Sequence, residues 1–286
     1  MRLLTVMTGR GPRACGEFEG SYVDLNDANP SLPSSVKGIL ALGPEGIQRA
    51  GEAARSGQTK LDPAKATLLA PVPDPAKIVC LGLNYRDHAA ESKMDVPTEP
   101  ILFSKYATAL IGHNAPIILP ESSQEVDYEA ELVVVIGQGG RHIPREEAMA
   151  HVGGYAVGHD VSARDWQLGK PGKQWMAGKT FDTFAPVGPA VVTADEVPDP
   201  QGLGIRLRLN DKTMQNSSTA QLIFPVDYII SYLSKIFTLE PGDLIFTGTP
   251  PGVGMAQSPP VWLQPGDIVE VEIDGLGTLR NPVIRR

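Results

Sequence analysis

The stretch Val126–Gly137 constrains the fold of this chain more than any other. It reads VDYEAELVVVIG, and the residues from Leu132 to Ile136 are apolar without interruption and mostly β-branched. Such a run predicts a strand that is buried on both faces and lies inside a larger sheet. Because side chains alternate along a strand, Glu129 and Glu131 are expected on the same face, about 6–7 Å apart along the backbone.

These two glutamates leave two interpretations open. If the strand is covered, the carboxylates repel each other and lose hydration, and a divalent cation held between them removes both costs. Hard oxygen ligands suit Mg²⁺, Mn²⁺ or Ca²⁺. If the strand instead begins in solvent, the two acids are simply hydrated and need no metal.

The composition is that of an ordinary soluble globular protein, with 286 residues, 42% of them hydrophobic and 20% charged. No apolar stretch approaches the ~18 residues that a membrane helix needs, and the short apolar start at Met1 does not resemble a secretory signal. We therefore expect a cytoplasmic protein with no membrane partner. A net charge of −8 argues against a nucleic-acid partner. Cys15 and Cys80 lack metal-binding or disulfide spacing and are expected to be reduced.

A proline-rich stretch divides the chain into two expected parts. Residues 1–70 predict a small N-terminal domain that ends in an extended linker, and residues 71–286 predict the main domain. Apolar runs in the main domain predict strands, at 78–83, 101–104, 131–136 and 154–160. Two segments that follow a proline predict helices, at 144–150 and 225–236. We expect a mainly β body with some α structure.

His88 and Glu91 form the first candidate pair for catalysis. They are three residues apart in a segment that predicts a short helix, so they share one helical face. A carboxylate beside an imidazole fixes its tautomer and raises its basicity, which makes the histidine a candidate general base. The alternative is an ion pair on an exposed helix that has no catalytic role.

Three further segments carry candidate polar groups. Asp160 ends a glycine-rich apolar strand and is expected either to cap the following helix or to supply a third metal ligand. Lys179 lies among aromatic and small residues, where it can stabilise an anion; the alternative is a surface lysine whose stem alone is buried. The loop 247–254, TGTPPGVG, lacks the pattern of a phosphate loop and predicts a rigid wall that offers backbone N–H groups to a carboxylate.

The order of these motifs resembles the fumarylacetoacetate hydrolase family over roughly residues 77–283. The motifs are, in order, N-Y-x-x-H-x-x-E, E-x-E, D-V-S-A-R-D-W-Q, G-K-T-F-D-T-F and T-G-T-P-P-G-V-G. The residues within these motifs are most similar to those of the branch called fumarylacetoacetate hydrolase domain-containing protein 2. The resemblance implies a mixed β-sandwich roll, a homodimer and a Mg²⁺ or Mn²⁺ cofactor.

The resemblance also implies roles for individual residues. The metal ligands are expected to be Glu129, Glu131 and Asp160. The catalytic residues are expected to be His88 and Glu91, on a lid over residues 84–98 that activates water, and Lys179, which steadies enolate charge. Residues at substrate-contacting positions are Lys105, Arg164, Gln167 and Thr249.

The implied reaction is hydrolysis of the C–C bond in acylpyruvates or related β-diketo acids, through a pyruvate enolate. The same enolate serves an isomerase, tautomerase or decarboxylase of 2-oxo diacids, such as oxaloacetate or 2-hydroxyhepta-2,4-diene-1,7-dioate, so these activities remain alternatives. A catalytically silent binding protein is a third possibility. It is disfavoured because His88, Glu91, Lys179 and the three acids occur together.

Overall fold

The computed structural model describes residues 1–91 and 95–285. Its strands are β1 (Arg2–Thr8), β2 (Gly11–Phe18), β3 (Ser21–Asp24), β4 (Lys60–Leu61), β5 (Thr67–Leu68), β6 (Ile78–Gly82), β7 (Ile101–Ser104), β8 (Leu110–Ile111), β9 (Ile117–Leu119), β10 (Val126–Asp127), β11 (Ala130–Ile136), β12 (Val152–His159), β13 (Ser162–Ala163), β14 (Ala185–Thr193), β15 (Gly204–Leu209), β16 (Lys212–Ser218), β17 (Leu244–Phe246), β18 (Ile268–Ile273) and β19 (Gly277–Arg285).

The α-helices are α1 (Leu25–Ala28), α2 (Val36–Leu40), α3 (Gly43–Ser56), α4 (Arg86–Glu91), α5 (Arg164–Gln167), α6 (Trp175–Lys179) and α7 (Val226–Ile236). Short 3₁₀ helices lie at Pro63–Lys65, Ala107–Ala109, Arg145–His151, Ala194–Glu196, Thr219–Gln221 and Gly254–Ala256. The mainly β body with some α structure is therefore confirmed. Part of the expected lid, residues 92–94, lies outside the described residues. No helix in the described ranges has the length and apolar character needed to cross a membrane.

The predicted acidic strand, β11, lies in the interior of the largest sheet. That sheet has the order β4-β3-β2-β1-β14-β12-β11-β17-β6-β7, so β11 is hydrogen-bonded on both sides. Every residue of β11 is buried, as its unbroken apolar run predicts. A smaller sheet with the order β16-β15-β18-β19-β9 packs against this body, and apolar residues of both sheets share one core.

The N-terminal residues extend the same central sheet. Strand β1 pairs antiparallel with β14, with Arg2 opposite Val192 and Leu3 opposite Val191. Leu3 and the apolar face of α2 pack in one cluster with Val133 and Val135 of β11. The boundary at residue 70 between an N-terminal domain and the domain 71–286 stays a prediction.

The two expected helices differ in outcome. The segment 225–236 forms α7 directly after Pro225, and its apolar stripe is buried in the core. The segment 144–150 also forms a helix, Arg145–His151, but of the 3₁₀ type. Residues of this helix pack closely against α7, and a short segment fixed by such packing commonly adopts the tighter 3₁₀ form.

Candidate active site

Three carboxylates meet at the ends of two neighbouring strands of the central sheet. Glu129 precedes β11, Glu131 lies within it, and Asp160 directly follows β12. One carboxylate oxygen from each lies within 4.8 Å of the others, and all three side chains are buried. The register brings them together, because Glu131 lies opposite Gly158 and the Asp160 amide donates a 2.9 Å hydrogen bond to the Glu129 carbonyl.

This arrangement decides between the alternatives for these acids. The carboxylates of Glu129 and Glu131 are not at a hydrated strand start, since their residues are only 6% and 1% exposed. Asp160 does not cap the following helix, because α5 begins after Ala163 with no side-chain cap. The structure therefore brings the three predicted acids into one buried cluster.

Lys179 lies at the end of α6 and contacts two of the three acids. Its Nζ donates hydrogen bonds to Glu129 Oε2 at 2.7 Å and to Asp160 Oδ2 at 2.9 Å. Burial lowers its pKa, but the charges of Asp160 and Glu129 outweigh this effect and raise the pKa above its usual value. Lys179 is thus a fixed, buried ammonium and not a surface lysine.

Arg164 holds Glu129 from the other side. Its guanidinium donates to Glu129 Oε1 at 2.6 Å, to Asp127 Oδ2 at 2.8 Å and to Gln167 Oε1 at 2.8 Å. Burial raises the pKa of Glu129, but the positive charges of Lys179 and Arg164 lower it to about 2. Glu129 is therefore ionised and fixed in orientation at any ordinary pH.

Asp127 is a member of this cluster that the sequence did not indicate. Besides Arg164, it accepts hydrogen bonds from the backbone N–H groups of Gly254 at 2.6 Å and Met255 at 3.1 Å. It therefore joins the loop 247–254 to the guanidinium that orients Glu129. Its position two residues before Glu129 is the one feature of the sequence from which this role could be suspected.

The structure places Lys105, which the resemblance implies as a substrate contact, behind the acid cluster. Its ammonium is completely buried and donates to the carbonyls of Val161 at 3.0 Å, of Phe184 at 2.7 Å and of Lys179. An ammonium has three N–H groups, so none is left for a substrate. Lys105 also lies 2.6 Å from Asp160 Oδ1. The structure assigns it a supporting role behind Asp160.

The glycine-rich loop 247–254 supplies backbone donors, as its sequence predicts. The N–H of Gly248 donates to Glu131 Oε2 at 2.7 Å, and the N–H of Gly252 donates to both oxygens of Glu91 at 3.0 and 3.1 Å. Gly248 has φ +99°, and a Cβ there would lie 2.8 Å from that of Asn84. Only glycine fits this conformation and contact, so the loop places Glu131 and Glu91 at once.

His88 and Glu91 form the predicted pair on α4. His88 Nδ1 lies 3.2 Å from Glu91 Oε2. Because a carboxylate can only accept, Nδ1 carries the proton in this pair, and in the neutral tautomer that this contact selects the lone pair is on Nε2. His88 lines the cavity described next, so its Nε2 is available as a base.

A cavity of about 500 Å³ opens in front of this cluster. Its polar lining includes most of the predicted site residues, namely His88, Glu91, Glu129, Arg164, Gln167, Lys179 and Thr249. Its apolar lining is formed chiefly by Leu83, Ile101, Phe103, Leu168, Trp175 and Met255. Thr249 is held by a 2.8 Å hydrogen bond from Gln215. The cavity is therefore lined by both charged and apolar side chains.

The acid cluster fits a divalent cation on the chemistry of its own atoms. Burial and the carboxylates of Asp160 and Glu129 raise the pKa of Glu131 well above its usual range, which indicates negative charge that the surrounding cations do not balance. Within the described residues, Asp160 Oδ1 accepts no hydrogen bond of normal geometry, and the Lys105 ammonium 2.6 Å away is its only close cation. Three buried carboxylates that each bring an oxygen within 4.8 Å of the others suit Mg²⁺ or Mn²⁺.

Comparison with known proteins assigns the family. Residues 77–284 match the model of the fumarylacetoacetate hydrolase C-terminal domain. An oxaloacetate tautomerase of Xenopus laevis, described as mitochondrial, is 52% identical over 265 residues, which cover 93% of this chain and 83% of that protein. The chain belongs to the fumarylacetoacetate hydrolase family.

Solved structures agree on the fold. A 5-carboxymethyl-2-hydroxymuconate delta-isomerase from Mycobacterium smegmatis superposes with a TM-score of 0.79 at 33% identity, covering 100% of this chain and 99% of that one. A maleylpyruvate hydrolase from Sphingobium sp. SYK-6, in complex with manganese(II) and pyruvate, gives 0.82 at 33% identity with the same coverage. The predicted family fold is confirmed, and its members include tautomerases, isomerases and hydrolases.

Proposed function

We propose that this protein is a divalent-metal-dependent tautomerase that interconverts the keto and enol forms of oxaloacetate or a closely related 2-oxo diacid. The main support is the His88–Glu91 pair, which lines the same cavity as Lys179 and Glu129. The chain is also 52% identical to an oxaloacetate tautomerase. This proposal replaces C–C hydrolysis as the first interpretation, because tautomerisation requires only the transfer of a proton.

Glu129, Glu131 and Asp160 are the residues that would hold Mg²⁺ or Mn²⁺, and the choice between these two ions stays open. When bound, the ion supplies Lewis-acid polarisation of the 2-oxo group. Support for a divalent ion comes from the convergence of the three acids and from the related hydrolase structure that contains manganese(II).

His88 transfers the proton in this proposal. Nε2 removes a proton from C3 of the keto form, the C–H electron pair forms the C2–C3 double bond, and the 2-oxo oxygen gains negative charge. The same nitrogen then delivers the proton to that oxygen, so that atoms and charge balance. Glu91 stabilises the transient imidazolium, and the N–H of Gly252 fixes Glu91 in place.

Lys179 stabilises the negative oxygen without giving up its own proton. Its raised pKa keeps it charged, and a charge that is already in place lowers the barrier without reorganisation. Arg164 keeps Glu129 ionised and oriented, while Gln167 and Thr249 offer polar atoms along the cavity. The apolar lining of the cavity reduces access of water to the enolate.

Hydrolysis of an acylpyruvate is the second candidate, and the size of the cavity favours it. A cavity of about 500 Å³ with a partly apolar lining holds a larger substrate than oxaloacetate. The maleylpyruvate hydrolase of the same fold supports this alternative. Isomerisation or decarboxylation of a 2-oxo diacid uses the same enolate and remains compatible with the site.

A direct assay separates these activities. The enol form of oxaloacetate absorbs in the ultraviolet, and the protein with MgCl₂ should accelerate the decay of this absorbance, while a chelator should abolish the acceleration. Release of pyruvate from acylpyruvates and from oxaloacetate is measured in parallel. Cleavage of acylpyruvates with no acceleration of ketonisation would refute the tautomerase and support the hydrolase. The homodimer and the cytoplasmic location stay predictions.

A further inference from the structure

Lys173 is a cation at the rim of the cavity that no step above uses. It lines the cavity and its side chain is exposed. The two other permanent cations of the lining are already neutralised, since Arg164 contacts Asp127 and Glu129, and Lys179 contacts Glu129 and Asp160. No carboxylate of residues 1–91 or 95–285 lies within salt-bridge distance of Lys173, so its charge is available to a ligand.

The backbone holds Lys173 in a conformation that a lysine rarely adopts. Its φ is +53°, and it follows Gly172 at φ +79° in a tight turn. The N–H of Lys173 donates to the carbonyl of Lys170 at 3.1 Å, and its own carbonyl accepts from the N–H of Trp175 at 3.0 Å. A non-glycine residue in the left-handed region costs about 1–2 kcal/mol, and such strain is concentrated at functional sites.

Trp175 fixes this turn to the cavity wall. Its ring packs edge-on against Phe103, with ring centroids 5.7 Å apart. A Cβ at Gly82 would lie 2.5 Å from the Trp175 ring, so the absence of a side chain at Gly82 admits the tryptophan. Because Trp175 is also the first residue of α6, which ends at Lys179, the turn has a fixed position relative to the acid cluster.

We propose that Lys173 recognises the distal carboxylate of a 2-oxo diacid and thereby selects diacids over monoacids. This inference rests on the proposed function, in which the 2-oxo acid end of the substrate faces the acid cluster. The second carboxylate of a diacid then lies away from that cluster and needs a cation of its own. Lys173 supplies it, since the charges of Arg164 and Lys179 are shared among protein carboxylates.

The test compares the binding of a diacid and a monoacid. Calorimetry with Mg²⁺ present measures the dissociation constants of oxaloacetate and pyruvate for His88→Ala protein, in which turnover is suppressed, with and without Lys173→Met. The second substitution should weaken oxaloacetate binding by about 10-fold to 100-fold, the range for a lost hydrogen bond to a charged group. Pyruvate lacks the distal carboxylate and so has no group for Lys173 to contact. Its affinity should therefore stay within about twofold of the original value.

Lys170→Met is the matched control. Lys170 lies in the same turn, but its Nζ rests 4.5 Å from the Trp166 ring centroid and it does not line the cavity. Its loss should change neither affinity, and Lys173→Arg should retain diacid binding. Equal weakening of both ligands, or no weakening of either, would overturn the assignment. Failure of the tautomerase proposal is seen separately, in the turnover of wild-type protein.

Discussion

Two networks of charged residues lie on sheets of this protein, and their surroundings differ. The buried cluster consists of Lys105, Asp127, Glu129, Glu131, Asp160, Arg164 and Lys179. The exposed ladder runs across β15, β18 and β19 and consists of Arg206, Arg208, Glu270, Glu272, Asp274 and Arg280. The shortest ion pairs of the two networks are similar, since Arg164 lies 2.6 Å from Glu129 and Arg208 lies 2.8 Å from Glu272, but the other ladder pairs are longer, at 3.0 to 3.8 Å.

The difference lies in what each network does to its carboxylates. In the buried cluster, low polarity strengthens every charge interaction, so Glu129 has a pKa of about 2 while the pKa of Glu131 is raised well above its usual range. In the ladder, the side chains are between 24% and 52% exposed, and solvent screens the pairs. Burial therefore shifts the pKa values of the carboxylates in the cluster, whereas the ladder is a solvated surface network.

The largest expected effect tests whether the buried cluster works together with the adjacent base. His88→Ala should reduce ketonisation of oxaloacetate by about 10²–10⁴-fold, the range for loss of a general acid–base group. Mn²⁺ binding should persist, because His88 is not among the three converging acids. Stopped-flow ultraviolet absorbance measures the rate. Wild-type turnover in the variant would remove His88 from the mechanism.

The second prediction tests how much the buried ion pairs contribute to the stability of the fold. Arg164→Ala leaves Asp127 and Glu129 buried without their shared guanidinium. Removing one partner of a buried ion pair costs about 3–5 kcal/mol. The free energy of unfolding measured by urea denaturation should therefore fall by that order. If the variant does not fold, Arg164→Lys provides a second measurement. Lysine lacks the planar fork of arginine and should lose part of the same stability. Unchanged stability in both variants would contradict the account.

The smallest effect is expected for Arg208→Ala in the exposed ladder, which is the matched control for Arg164→Ala. Arg208→Ala removes two ion pairs, to Glu270 at 3.3 Å and to Glu272 at 2.8 Å. Exposed pairs contribute about 0–1 kcal/mol, so the unfolding free energy should change by no more than that, and catalysis should not change. A loss as large as that of Arg164→Ala would show that burial does not distinguish the two networks.

Local patterns in the sequence predict the parts of the site that depend on local spacing. The alternation along β11 predicts that Glu129 and Glu131 share a face, and helical spacing brings His88 to Glu91. The glycine pattern of loop 247–254 predicts its backbone donors.

Contacts between distant segments do not follow from local patterns, and only the family resemblance predicted that Asp160 and Lys179 join Glu129. Asn84 illustrates this, because its side chain bridges the backbones of Phe224 and Thr247, which are more than a hundred residues away along the chain. The burial of Lys105 among three carbonyls and the position of Lys173 at the cavity rim likewise arise only when remote segments pack. A lysine carries no local pattern that separates a supporting, a catalytic and a surface role.

A metal titration of wild-type and Glu131→Gln protein tests the central claim most directly. After chelator treatment, wild-type protein should bind one Mn²⁺ per chain, measured by electron paramagnetic resonance. Its melting temperature should rise by about 5 °C or more at saturating metal. Glu131→Gln should bind Mn²⁺ far more weakly, yet without metal it should be at least as stable as wild type, because burial and the neighbouring carboxylates disfavour the charged form of Glu131, which glutamine cannot adopt. Wild-type protein that neither binds nor is stabilised by Mn²⁺ or Mg²⁺ would contradict the account.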